Sequence, residues 1–198
     1  MTYREHRVQE DLRNWDPPSP LEAVYFEGCR FQGANLLEWQ SMRCVFDRCD
    51  FSGARFNAST HRESAFLNCQ FTGANFFDAL FDRCKMTGSS FSEVTWTGVR
   101  IVGGDWSYGN LRYAKLPGAD FCNANLQDAD FSDADLTGAQ FRAANMSRMV
   151  LTRAVLAQAD IRGAVISDMD FRGVNLKGLH MDYDQAAQVV LSLGAVID

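Results

Sequence analysis

The stretch ADFCNANLQDADFSDADLTGAQF, residues 119 to 141, carries an apolar residue at every fifth position: Phe121, Leu126, Phe131, Leu136 and Phe141. An alanine stands two residues before each of them. A helix would rotate successive members of this set by about 140°, and a single strand would send them to opposite faces. A chain that turns a corner every five residues keeps them together, so the pattern predicts a coil wound around its own core. Stepping by five from Leu21 to Met181 visits 33 positions, and all but Ser41 and His61 are apolar. With 46% hydrophobic residues in the chain, chance would leave about 15. Fourteen of the fifteen phenylalanines keep this register, Phe77 being the exception, and no insertion breaks the phase. A repeat sustained over most of the chain predicts one solenoid domain.

The position two before each centre is small or apolar, as at Cys29, Ala34, Cys44, Cys49 and Ala54. One large and one small inward residue per pentad suit a narrow interior. Trp39 breaks the rule next to Ser41, a large residue in the small slot beside a small one in the large slot, which predicts compensation of volume. Glycines mostly fall two after a centre, as at Gly33, Gly53 and Gly73, where a corner needs permissive backbone angles. Gly103 and Gly104 together mark a local irregularity between Trp96 and Trp106.

These residues, with Ala124-Asn125-Leu126 and Ala134-Asp135-Leu136-Thr137-Gly138, resemble the pentapeptide-repeat family, A(D/N)LXX, over residues 19–182. The resemblance implies an all-β, right-handed quadrilateral β-helix with four pentads per coil. At a strand-like separation of about 4.8 Å, some eight coils make a rod on the order of 40 Å long. Positions i and i+20 then stack, so Phe31, Phe51, Phe71 and Phe91 form one ladder. Ser41 and His61 become neighbours on another side. They read as a buried hydrogen-bonded pair, or as a nucleophile with its base that lacks a carboxylate to orient it.

Residues 1–18 read as an N-terminal arm, with Trp15, Pro17 and Pro18 leading into the first coil. Residues 183–198 read as a short C-terminal α-helix and tail that cap the rod. Asp182 with Gln185 resembles a capping box, Asp184 favours the first turn, and Gly194 serves beyond the last. Ala186, Val189, Val190 and Leu193 recur at helical spacing and are expected to form a homodimer interface while closing the last coil.

The charge pattern adds a candidate surface. Between Leu116 and Phe141 lie Asp120, Asp128, Asp130, Asp133 and Asp135 with no Lys or Arg, while Arg142, Arg148, Arg153, Arg162 and Arg172 follow. This is either a solvated outer face or an acidic patch that meets a basic protein groove. A net charge of −6 argues against direct nucleic-acid binding. The outward residues Leu37, Met42, Leu67, Phe77 and Leu80 hint at a second, apolar face. No stretch is apolar enough to span a membrane and the start lacks an apolar signal region, so a cytoplasmic setting is expected. There, the five cysteines of the small slot are expected to be thiols. No phosphate loop, metal-ligand spacing or nucleophile motif is present, so neither catalysis nor a cofactor is expected.

The stretch NASTHRESAFLNCQFTGANFFDALFDRCKMTGSSF and the tail DYDQAAQVVLSLG are similar to the mycobacterial fluoroquinolone-resistance branch of the family and to its wider Qnr group. That likeness implies a dimeric rod, joined through C-terminal segments, that imitates B-form DNA. It implies binding to DNA gyrase, with effects on supercoiling and quinolone sensitivity. The alternative is a scaffold solenoid for a different protein partner. Qnr proteins of Gram-negative bacteria carry loops between coils, and this chain has none.

Overall fold

The structure is a computed structural model, and it describes residues 3–196. The chain forms a parallel β-solenoid followed by one helix, α1 (Tyr183–Ser192). Regular strands occupy the first coils: β1 (Glu5–Val8), β2 (Leu21–Glu22), β3 (Val24–Glu27), β4 (Gln40–Met42), β5 (Val45–Asp47), β6 (Thr60–Arg62), β7 (Ala65–Leu67), β8 (Leu80–Asp82) and β9 (Arg100–Val102). They build two sheets in the orders β1-β3-β5-β7 and β2-β4-β6-β8-β9, all parallel. Elsewhere single bridges continue the ladder, as from Arg30 through Asp50, Gln70, Ser90, Asn110 and Asp130 to Val150. Each of these steps runs from position i to i+20, four pentads to a coil. The beginning departs from that step: β1 pairs with β3 at a spacing of 19, as does Asp11 with Arg30.

The corner explains the pentad. From Ala23 to Gly178, every residue two after a centre has positive φ, from +50° at Glu63 to +74° at Gly173. In most pentads the centre's carbonyl accepts from the N–H three residues on, as in Ala34 N to Phe31 O at 2.9 Å. A turn with its third residue at positive φ is type II. Asp or Asn before a centre supports the same corner. Its Oδ1 accepts from the N–H two residues on, as Asp50 does from Ser52 at 2.9 Å and Asp135 from Thr137 at 3.0 Å. The A(D/N)LXX signature thus encodes a corner as well as a core residue.

The interior is filled by stacked rings. Phe31, Phe51, Phe71 and Phe91 lie 4.5, 5.2 and 5.3 Å apart between successive centroids and are nearly parallel. Phe26, Phe46 and Phe66 form a second stack on an adjacent side. Trp39 is buried in its small slot, edge-on to His61, and Trp15 packs over it from the beginning of the rod. The five cysteines of the small slot are buried free thiols, whereas Cys122 is half-buried. Burial pushes the Cys84 thiol up to about 12. Its sulfur lies 3.3 Å from the His61 carbonyl one coil below.

Ser41 and His61 form a buried polar knot. His61 Nδ1 lies 2.7 Å from Ser41 Oγ, and its Nε2 lies 3.0 Å from Ser59 Oγ. Ser64 completes the group at 3.1 Å from Ser41. The ring stacks on Phe81 at 5.2 Å, and burial pushes its pKa down to about 3. Sealed inside the rod, the pair satisfies its own polar atoms and offers no substrate a path to the serine. No helix among the described residues is long and apolar enough to cross a membrane.

This interior should make stability depend on pH. Folded His61 takes a proton only near pH 3, against the ordinary 6.5 of an exposed imidazole. The unfolded chain therefore takes up the extra proton as pH falls below 6.5, and stability drops. Between pH 7 and pH 5 the loss should be about 2 kcal/mol in urea denaturation, and His61→Phe should flatten that slope. An equally steep slope in the variant would show that another group carries it. Gly104 offers a separate check, because at its φ of +90° an added Cβ would stand 2.3 Å from the Cys84 carbonyl oxygen. Gly104→Ala should cost at least about 2 kcal/mol in thermal unfolding, since the added Cβ meets main-chain atoms held in the ladder and not the movable end of a side chain.

Candidate protein-docking surface

The outer surface is ruled by stacking. A residue's neighbour one coil away is 20 positions distant, so the charge a column presents depends on residues far apart in the chain. Asp128 and Asp133 occupy corner positions, with φ of +57° and +61°. Directly above them stand Arg148 and Arg153, and both pairs are bidentate. Arg148 donates from Nε and Nη2 at 2.8 and 2.8 Å, and Arg153 at 2.6 and 2.7 Å. The Arg148 guanidinium holds the Asp128 carboxyl down to about 2, and Arg153 lowers Asp133 in the same way. Two of the five aspartates expected to make an acidic patch are therefore neutralised in place.

The other three precede core centres and serve the corners. Asp130 accepts from Ser132 and from Arg112 at 3.3 Å. Asp135 accepts from the N–H and hydroxyl of Thr137, and Asp120 from the N–H of Cys122. Neither Asp120 nor Asp135 has an Arg or Lys within ion-pair distance among the described residues. Asp105 is in the same condition, bonded to Ser107 and Asn125. The surface over these coils is one of alternating sign with a few carboxylates left over.

Below the two ion pairs stand Tyr108 and Tyr113, also at corners and more than half exposed. The columns read Tyr108–Asp128–Arg148 and Tyr113–Asp133–Arg153 on consecutive corners. Arg112 lies over the Tyr113 ring at 5.6 Å. Tyr and Arg on a rigid frame are the residue types that concentrate binding energy at protein interfaces. Reading the aspartates alone missed these partners; adding 20 to Asp128 and Asp133 finds both arginines.

Of the outward apolar residues, Leu37 and Phe77 are exposed and stand two coils apart in one column, while Leu67, Met42 and Leu80 are half-buried. At the far end, α1 closes the last coil. Asp182 donates its N–H to Gln185 Oε1 at 2.8 Å, and its carboxylate accepts from Gly163 N–H at 2.6 Å. Gln185 is buried, and its Nε2 donates to the carbonyls of Ile161 and Ala164 at 2.7 and 2.8 Å. The apolar stripe is divided: Val189 is buried against its own coil and Ala186 half-buried, while Val190 and Leu193 face solvent with Leu191 and Tyr183. Val189 is thus an intramolecular contact and not part of the surface open to a second copy.

A family model described as a pentapeptide repeat region matches residues 74–145. A second, described as pentapeptide repeats in eight copies, matches residues 21–60, 49–88 and 139–178. No curated protein sequence matches the chain. Among solved structures, a trypsin-treated variant of QnrB1, a plasmid-mediated fluoroquinolone resistance protein, superposes with TM-score 0.82 at 21% identity, covering 100% of this chain and 99% of that one. Full-length QnrB1 gives 0.60 at 24% identity, over 96% and 98% of the two chains. HetL, a pentapeptide repeat protein involved in heterocyst differentiation regulation in the cyanobacterium Nostoc, gives 0.61 at 20% identity, over 89% and 90%. At these identities the structures share a fold. The five-residue register, the i to i+20 ladder and family models that cover most of the coils lead to one conclusion: this chain belongs to the pentapeptide-repeat family.

Proposed function

We propose that the rod is a protein-docking scaffold whose partner is DNA gyrase, on which it takes the place of duplex DNA and alters supercoiling and quinolone sensitivity. The observation that carries this reading is the end-to-end correspondence with QnrB1. A slender rod of constant section has the outline of a duplex. Its charge is a weaker copy: 40 Å of B-DNA holds about 24 charges, whereas this chain nets −6 and pairs many of its aspartates with arginine. Imitation then rests on shape, on Asp105, Asp120 and Asp135, and on the Tyr–Asp–Arg columns beside them. Two copies joined through the exposed face of α1 would double the length. On this reading the protein touches gyrase and not nucleic acid, and it works without a cofactor.

A second reading keeps the docking role with a different protein. The exposed Leu37–Phe77 column favours it, as does the same fold in HetL, which is described as involved in the regulation of heterocyst differentiation.

Purified protein should inhibit gyrase supercoiling at low micromolar concentration. The double variant Asp120→Asn, Asp135→Asn keeps the corner hydrogen bonds and should weaken inhibition by about tenfold with an unchanged melting temperature. Full inhibition by that variant would remove these carboxylates from the contact, and no inhibition by the parent protein would leave the second reading. Replacing Val190 and Leu193 with Asp should convert a dimer to a monomer in light scattering while Val189 and Gln185 keep the cap closed. A dimer that survives the change would place the interface elsewhere.

A further inference from the structure

Between the coil Phe91–Asn110 and the next, Leu111–Asp130, the ladder parts along two neighbouring sides. One coil below, Phe76 and Asp78 donate their N–H groups to Thr95 and Thr97 at 2.9 and 3.0 Å. One coil above, Leu116 and Gly118 donate to Asp135 and Thr137 at 2.9 and 2.8 Å. In between, the equivalent N–H groups of Glu93, Trp96 and Gly98 on one lip, and of Lys115 and Asp120 on the other, meet no main-chain acceptor among the described residues. No bridge among them joins Thr95 to Lys115 or Arg100 to Asp120. The ladder is intact again at Phe91 N to Asn110 O, 2.9 Å, and at Trp106 N to Asn125 O, 2.7 Å.

Along the seam runs a cleft of about 1090 Å³, floored by core residues that it barely exposes. Its wall includes Val94, Trp96 and Val99 from one coil and Ala114, Leu116 and Ala119 from the next. Between Val24 and Ala164 the small inward slots are buried except at Val94, Val99, Gly104 and Ala119, all beside this parting. The crowding has a visible source. Val94 and Val99 stand where the coils below and above carry Ala74, Ala79, Ala114 and Ala119, and Trp96 fills the centre between them. An overfilled section forces its neighbour away. Trp96 is 5% exposed, and its indole Nε1 is buried without a hydrogen-bond partner among the described residues.

We propose that this seam is a binding site for an extended polypeptide segment of a partner protein, which adds as a strand along the open lips. The cleft offers a row of main-chain N–H and C=O groups at strand spacing, and a linear chain of amides matches such a row. An apolar small molecule would leave those groups unmet. The inner wall is apolar, so alternate residues of the segment would be apolar and face Trp96 and Leu116. A carbonyl at that depth would accept from the Trp96 indole. Glu93 and Lys115 at the rim select neither sign of charge strongly. The seam would take such a segment whether gyrase or another protein supplies it.

The test uses the intact protein and an acetylated, amidated hexapeptide of alternating threonine and valine, followed by hydrogen exchange and tryptophan fluorescence. In the free protein, the amides of Glu93, Trp96, Gly98, Lys115 and Asp120 should exchange at least about 100-fold faster than those of Phe76, Asp78, Leu116 and Gly118. The peptide should slow the seam amides by about tenfold, and a version N-methylated at its two central residues should not. Trp96→Phe keeps an aromatic ring and should weaken peptide binding several-fold, with the melting temperature nearly unchanged. Seam amides already protected in the free protein, or unaffected by the peptide, would overturn the proposal. So would equal protection by the methylated peptide, which would mean apolar filling without strand addition.

Discussion

The structure depends on one constraint: backbone N–H and C=O groups must pair with the coil above and the coil below while a square, narrow interior stays full. Pairing between positions i and i+20 fixes four pentads to a coil. It also puts each side chain against its counterparts one coil away, so ring stacks, thiol columns and ion pairs all arise from the same step. The corners make the pairing possible, because each type II turn redirects the chain by using one residue at positive φ. Glu, Arg, Asp and even Tyr accept that conformation throughout the rod. The cost of a left-handed residue is thus met many times over by interior packing and by the ladder.

The same step explains why the surface is quieter than its composition. Asp128 and Asp133 lie against Arg148 and Arg153 one coil further on, and each pair neutralises its own column. Charge that is dense along the chain becomes alternating in space. What remains for recognition is a rigid shape, two Tyr–Asp–Arg columns and a few carboxylates bound only to their own corners. Rigid elements of this kind hold side chains in place without the entropy loss a loop would suffer.

Departures from the constraint are informative. At the last coil, α1 stands in for a missing neighbour: the Gln185 amide meets the Ala164 carbonyl, which an N–H of another coil would have taken, and shares the Ile161 carbonyl with the Ala164 N–H. One edge there is looser, with no main-chain bond between Leu151–Arg153 and Asp170–Arg172 among the described residues. At the middle of the rod the interior is overfilled, and two edges give way while the other two hold. Packing and pairing conflict at that coil, and packing prevails.

The inward slots follow from the sequence, because a strict five-residue period returns one large and one small side chain to the interior at each corner; four pentads to a coil, and with them the stacking order, came from the family resemblance. With that coil length, Phe31 over Phe51 and Ser41 beside His61 were legible, and the capping role of Asp182 and Gln185 was legible from their spacing alone. Gly103 and Gly104 signalled an irregularity without saying what kind. That Arg148 and Arg153 reach Asp128 and Asp133 emerges with the packed coils, since side-chain reach and rotamer are not encoded in a period. The tertiary structure alone showed which side of the C-terminal helix faces the coil, burying Val189 and leaving Val190 and Leu193 outside. The parted ladder likewise depends on summed volumes across neighbouring coils, a property of the packed section and not of any single repeat.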